Sequence, residues 1–369
     1  MKSLFTVLIF CIVLFIYIHI NFHLRTSDDL EVYEIDQPSK DKLEEICDIR
    51  QPVIFDYNID GLMTQCNLNT IEQNYGAFDI KVRNVKEYDD VTEMYLPLTM
   101  GTAKEIFRKD SDERYVSENN SEFLEETGLV KEFQYNDIFL RPYSLCNCKY
   151  DYMFSSTNTK TSLKYELNYR NYFLVTQGKL TVKLIPPKSS KYLYTIKDYE
   201  NFEFLSPVNP WKVQPQFKAD FDKLKTLEVV INPGQIIFIP AYWWYSFEFS
   251  ENTSLCVFKY KTYMNNVAIS NHLLVNLLQN QNVKRDSVKK KQIEQNQSAC
   301  SNETVDSIVI DPISVTDENQ KTIPIPIPAS MTDDNIVNVE STPIGEIGGT
   351  TSNRIGASIG AGIGASISD

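Results

Sequence analysis

The sequence predicts a mainly β domain, a sandwich or barrel with flanking helices, set between an N-terminal membrane-spanning helix and a disordered C-terminal tail. Three observations predict it. Leu4 to Phe22 is a 19-residue run without a formal charge, about what a bilayer core requires. From Asp137 to Tyr260 short aromatic and β-branched runs recur between turn residues, the pattern of a sandwich or barrel. From about Gln292 aromatics become scarce, Ser, Asn, Asp and Thr accumulate, and the chain ends in a low-complexity Gly/Ala/Ile/Ser stretch. Such a composition cannot offset its ordering entropy.

Each element follows in chain order. A cleaved signal peptide has a shorter apolar core and small residues at its cleavage site, and Ile18-His19-Ile20-Asn21-Phe22 offers none, so residues 4–22 read as a retained single-pass anchor. Lys2 precedes the run, while Arg25 after it is soon met by Asp28 and Asp29. This biases the N-terminus to the cytoplasm and the rest of the chain to the luminal or extracellular side. There, Asn119, Asn252, Asn296 and Asn302 would be candidate glycosylation sites. Ser39 is placed to cap an amphipathic helix with Leu43, Ile46 and Cys47 on one face. Pro52 to Phe55 reads as a strand, Leu68 to Tyr75 as a helix and Phe78 to Val82 as an alternating strand. Thr102–Phe107 and Ser117–Thr127 are helical candidates. The expected strands are then 139–141, 152–155, 172–175, 180–185, 227–231, 236–240, 244–249 and 254–260. Val267 to Gln279 sets Leu273, Leu274, Leu277 and Leu278 on one stripe. That predicts one amphipathic helix, packed on the domain or on a second copy as a homodimer. A basic stretch begins at Lys284. The expected organisation is an anchor at 1–25, a folded domain at 36–265, a helix with the basic stretch at 266–291 and a disordered tail at 292–369.

The chain has 369 residues, of which 42% are hydrophobic, enough to bury a sizeable core. A net charge of −13 excludes nucleic acid as the main partner. Outside the apolar run six cysteines remain, Cys47, Cys66, Cys146, Cys148, Cys256 and Cys300, an even count that permits disulfides. Cys146-Asn-Cys148 is too tightly spaced for a zinc knuckle. No GxGxxG, P-loop, GxSxG or HExxH motif occurs. The histidines are His19, His23 and His272, so a nucleophilic cysteine would have little choice of base.

The most specific segment is Asn232-Pro-Gly-Gln-Ile-Ile-Phe-Ile-Pro-Ala-Tyr-Trp-Trp-Tyr-Ser. Pro233-Gly234 makes a tight turn into a buried strand, Pro240 ends its pairing, and Trp243-Trp244 launches the next. This resembles the signature of the JmjC and cupin-like 2-oxoglutarate oxygenases, especially the asparaginyl-hydroxylase type. Asn171 to Pro187, with its turn at Gly178 and its terminal Pro186-Pro187, resembles the family's strand pair upstream, and Leu255 to Lys261 resembles the strand that follows the double Trp. The resemblance covers about Asp36 to Lys261, with Ile80 to Glu132 poorly anchored, and implies a double-stranded β-helix (jelly-roll) barrel.

In that family a His-x-Asp pair and a distal His hold iron(II), leaving positions open for 2-oxoglutarate and oxygen. Counted back from Asn171, the pair falls on Tyr165 and Leu167, or with a one-residue shift on Lys164 and Glu166. The distal His falls on Tyr245 or Ser246. The position implied for the 2-oxoglutarate lysine is Leu180, with Lys179 and Lys183 nearby, and a lysine one residue off points to the other side of a strand. Tyr165 and Tyr245 are expected to fill the space of metal and water, and an inward Lys164 to pair with Glu166 or Glu248. Trp243 and Trp244 are expected to pack the core. The expectation is a membrane-anchored pseudo-oxygenase with no cofactor, serving as a binding or structural protein for a protein, peptide or glycan. One rival is an enzyme of other chemistry using Glu166, Tyr245 and Lys179, for which Glu166 and Tyr245 must converge within about 3 Å of a common point in one polar pocket. The other is a structural membrane protein, as of a large DNA virus.

Overall fold

The computed structural model describes residues 2–86 and 95–281. The basic stretch from Lys284, the tail expected at 292–369, Asn296, Asn302 and Cys300 lie outside the described residues.

Helix α1 (Lys2–Leu24) carries the apolar run, and Ser3–Leu24 is long and apolar enough to cross a membrane. An α/β section follows: β1 (Tyr33–Ile35), α2 (Lys40–Cys47), β2 (Val53–Asp56), α3 (Asp60–Gln65), α4 (Leu68–Tyr75), β3 (Asp79–Asn84), β4 (Leu96–Thr99), α5 (Met100–Lys109), β5 (Tyr115–Ser117), α6 (Ser121–Glu126) and α7 (Val130–Asn136). The strand-rich section runs through β6 (Leu145–Ser155), β7 (Lys164–Tyr165), β8 (Arg170–Gln177), β9 (Leu180–Ile185), β10 (Ile196–Asp198), β11 (Glu203–Leu205), α8 (Lys218–Phe221), β12 (Leu227–Ile231), β13 (Gln235–Ile239), β14 (Trp244–Phe249) and β15 (Ser254–Thr262). Helices α9 (Tyr263–Ala268) and α10 (Ser270–Gln281) end the described chain.

The strands form two sheets, of nine in the order β1-β2-β13-β8-β15-β6-β5-β3-β4 and of six in the order β10-β11-β7-β14-β9-β12. Among the described residues neither sheet closes on itself; the two pack face to face, an arrangement consistent with the two-sheet jelly-roll form of the expected fold. The mainly β architecture with flanking helices is as expected. Alternation along the central strands explains the packing. On β8, Phe173 and Val175 enter the inter-sheet core with Val182, Phe247 and Val257. Tyr172 and Leu174 face the other way, onto Leu43, Leu62, Leu68 and Phe133 of the helical layer. The central strands of the nine-stranded sheet are thus buried on both faces.

Local chemistry accounts for several boundaries. Ser39 Oγ accepts the Lys42 N–H at 3.3 Å and starts α2. Gly178 turns β8 into β9 at φ +74°, and a Cβ there would stand 2.7 Å from Thr253 Cα, so both backbone and space require glycine. Gly234, at φ +82°, makes the turn into β13.

Other expectations are corrected. Residues 139–141 lie in a turn and its exit, not a strand, because Leu140 and Arg141 bond back to the Asp137 carbonyl. Ser117 belongs to β5, and the helix of that region begins only at Ser121. The single helix of 267–279 is broken at Ile269, which is buried beside Leu167 and Phe204. Of its four leucines only Leu273 packs on the domain. Cys47, Cys66, Cys146, Cys148 and Cys256 are free thiols.

Candidate functional site

The inter-sheet space has two ends. At one, side chains from β8, β9, β14 and β15 are hydrocarbon. At the other, β15 turns to charge and meets charged side chains of β3, β6, β7 and β11. On β15 the inward series runs Leu255, Val257, then Lys259 and Lys261; Val257 pairs with Asp151, and Lys259 with Lys149, on β6. On β14 Tyr245 faces inward and sits opposite Lys164 of β7.

Three of the predicted positions meet here. Lys164 Nζ lies 2.7 Å from Glu118 Oε2. Glu166 Oε1 accepts the Tyr245 hydroxyl at 2.7 Å and stands 2.8 Å from Lys259 Nζ. Arg83 Nη1 bridges Glu118 and Glu203, each at 3.2 Å. Asp151 accepts the backbone N–H groups of Asn119, Asn120 and Tyr152 at 2.7 to 2.8 Å. These groups border a cavity of about 220 Å³ whose lining includes Glu118, Asp151, Lys164, Glu166, Lys259 and Lys261.

The other three candidates stay out of the ion-pair cluster, although Tyr165 and Leu167 also border the cavity. Tyr165 stacks on Phe204 at 5.0 Å and meets Trp244 edge-on at 4.7 Å. Leu167 packs with Phe204 and Ile269. Ser246 donates to the Thr161 carbonyl and accepts from Trp211 Nε1 at 2.8 Å. So Tyr245 fills the inner space and Tyr165 does not, because neighbours on a strand face opposite sides. The expected partners of Lys164 are corrected likewise. It pairs with Glu118, while Glu166 takes Lys259 and Glu248 takes Lys160.

Electrostatics follow from burial and partners. Burial alone would raise the Glu166 carboxyl, but Lys259 and Lys164 hold it below the usual range. The same opposition leaves Glu118 low, held by Lys164 and Arg83. Burial would lower the Lys259 ammonium, yet Glu166 and Asp151 raise it. Burial and then Glu166 push the Tyr245 hydroxyl well above its ordinary range. Lys149 is lowered by burial and then by Lys259. Burial also raises Asp151, against the pull of Lys259 and of its N–H donors.

These residues do not fit iron and 2-oxoglutarate. An ammonium, a phenol and one carboxylate converge where two imidazoles and a carboxylate would be needed, and the carboxylate is already shared. Among the described residues no group of three His, Cys, Asp or Glu could hold a metal. Leu180 is fully buried in the apolar half and Lys179 is exposed on the turn. Lys183 turns outward, donating to the Pro210 carbonyl at 3.3 Å over the Trp211 ring.

The motif residues build the frame. Asn171 Nδ2 donates to the Ile239 carbonyl at 3.2 Å, tying β8 to β13 across the end of their pairing. Trp243 is buried in the inter-sheet core with its indole N–H on the Arg50 carbonyl at 3.0 Å, and Trp244 bonds Ser190 Oγ at 2.8 Å. The Asn119 amide is taken up by Tyr95 and Lys149, whereas Asn252 stands exposed on a turn.

Sequence reasoning missed Arg83, Glu118, Asp151, Glu203 and Lys259. The signal was faint but present for two: Val116-x-Glu118 and Val257-x-Lys259-x-Lys261 keep one strand face while switching from apolar to charged. Arg83 and Glu203 carried none.

A model of the cupin-like domain matches residues 41–270. HSPB1-associated protein 1 of Mus musculus, and likewise that of Rattus norvegicus, is 32% identical over 81 residues, 21% of this chain. The Homo sapiens protein of the same name matches to the same extent. The match spans only 16% of the length of those relatives.

Proposed function

We propose, from the premise that this chain belongs to the cupin-like domain family, that it is a membrane-anchored member in which an ion-pair cluster stands where relatives hold a metal, and that its role is to bind rather than to oxidise. The family's His-x-Asp positions correspond to Lys164 and Glu166, and the distal His to Tyr245, since these three converge inside. The observation that carries the reading is Glu166. Its Oε1 already takes Lys259 and Tyr245 at 2.8 and 2.7 Å and its Oε2 accepts from the Asn168 amide at 2.6 Å, so a cation entering there would have to displace an ammonium held by a buried carboxylate.

The rest of the reading follows from what surrounds the cluster. The cavity is lined by charge, with Lys149 and Lys261 outside any ion pair among the described residues, which suits a partner bearing polar or acidic side chains. The relatives' name describes a protein that associates with another protein, and we extend that to a protein or peptide partner here. α1 supplies the anchor, with the folded domain on the luminal or extracellular side.

One observation favours a second reading. Glu166 and Tyr245 do meet at 2.7 Å beside the cavity, as an enzyme of other chemistry would need, with Lys259 rather than Lys179 at hand. Against it, the Tyr245 proton is held tightly and Glu166 stays ionised, so neither exchanges a proton near neutral pH.

The test uses the full chain in detergent with ferrous iron, 2-oxoglutarate and ascorbate. The expected result is no retained iron and no succinate. Stoichiometric iron with coupled succinate formation would overturn the proposal. A pH-dependent activity of any other kind, abolished by Tyr245→Phe with an unchanged melting transition, would replace it with the second reading.

A further inference from the structure

The end of α1 is not free of the domain. His23 is buried, its ring 5.1 Å from that of Tyr169, and its Nε2 lies 3.3 Å from Thr262 Oγ1. Thr262 is the residue whose side chain caps α9. The Phe22 ring lies 5.2 Å from the Arg50 guanidinium. His19 and Ile20 are half-buried, and α9 packs alongside α1. The last turns of the apolar helix and α9 therefore occupy the same level.

α10 starts two residues after α9 ends and carries no Asp, Glu, Lys or Arg over its 12 residues. One face is used by the domain: Leu273 packs beside Leu167 and Phe204, His272 Nδ1 lies 3.0 Å from the Tyr199 hydroxyl, and Asn276 Nδ2 donates to the Tyr199 carbonyl at 2.6 Å. The stripe away from that face is apolar and uncovered, with Leu274, Leu277 and Leu278 each more than half exposed. Helical geometry puts these three on one side. On α9, Tyr263 and Val267 are exposed as well.

We propose that α9 and α10 form a second membrane contact, with Leu274, Leu277 and Leu278 seated in the headgroup–acyl boundary of the bilayer that α1 crosses. The proposal rests on α1 being a membrane span. If residues 4–22 fill the hydrocarbon, residues 19–23 lie at its edge, and the helix packed against them is held there too. A contiguous apolar stripe is costly in water, and lipid is the apolar phase that the adjoining span brings within reach. An interfacial helix usually needs a cationic polar face; here the domain itself covers the opposite face, so none is required.

The test places a nitroxide on the full chain reconstituted in phosphatidylcholine vesicles, with Cys11, Cys146, Cys148 and Cys300 replaced by Ser. Separate proteins carry the label at Leu277→Cys, at Phe10→Cys in α1 and at Tyr135→Cys on the exposed side of α7. Collision with oxygen and with a water-soluble nickel complex is then compared. The expected result is oxygen-dominated relaxation at positions 10 and 277 and nickel-dominated relaxation at 135. Nickel access at 277 with lipid burial at 10 would overturn this inference alone. Spin–spin broadening at 277 would instead assign the stripe to a second copy and overturn it too. Nickel access at both 10 and 277 would overturn the anchor reading together with this one.

Discussion

The two ends of the inter-sheet space meet along β14 and β15 but are filled by different means. At the apolar end Phe173, Val182, Phe247 and Val257 interlock, and the Phe173 and Phe247 rings meet edge-on at 4.9 Å. At the charged end Arg83, Lys164 and Lys259 interlock with Glu118, Glu166 and Glu203. The hydrocarbon end gains free energy from burial whatever its detailed fit. The charged end must be complete to be tolerated, because a buried ion without its partner is strongly unfavourable. The charged end thus remains polar, and Lys164, Glu166 and Lys259 each face another charged side chain there.

That contrast can be broken from either side. The largest loss is expected for Phe247→Ala, about 4 kcal/mol in urea unfolding, since a fully buried ring leaves a cavity. Glu118→Gln should cost about 3 kcal/mol, because Lys164 and Arg83 lose a shared partner. Replacing Glu118 and Lys164 together by Met should cost less than Glu118→Gln alone, and a double variant worse than the single would show that the network is not a closed set.

Acid should discriminate the ends as well. Glu118 and Glu166 are held below their unfolded values, so their stabilisation is whole above about pH 4.3 and is lost as pH falls through the lower folded values. Asp151, raised by burial, works in the opposite sense and offsets part of that loss. The urea midpoint should fall on acidification, and more shallowly in Glu118→Gln.

Tyr245→Phe should cost about 2 kcal/mol, a hydrogen bond to a buried carboxylate. The smallest effect is expected for Lys179→Ala, within about 0.5 kcal/mol and without influence on any ligand of the cavity. A larger effect would return Lys179 to the site.

Much of the fold was readable. β9, β12 and β14 begin and end where aromatic and β-branched runs meet turn residues, and α4 matches its period. β7, β10 and β11 were not readable, since two- and three-residue strands carry too few side chains to show a period. The double Trp and Gly178 located the site region, but not which of two registers holds. A slip of one residue swaps every inward side chain for an outward one, and it is the pairing of Lys164 with Tyr245 that sets Lys164 and Glu166, rather than Tyr165 and Leu167, beside the ion-pair cluster. The partners escaped for another reason. Glu118 and Arg83 precede Lys164 by dozens of residues, in the stretch where the family pattern is weakest, and ion pairing across such separations leaves no local periodicity.

The pairing of β2 with β13 sets a timetable for synthesis. Asp56 lies opposite Gln235, and the side chains of these two residues, 179 positions apart, also meet. A ribosome adds about 5 to 20 residues per second, so β2 waits roughly ten seconds or more with an open hydrogen-bonding edge before its neighbour exists. Contacts this distant in sequence make folding slow, and the exposed edge is a template for mispairing. The interval before β13 emerges is therefore when this chain has most need of a chaperone.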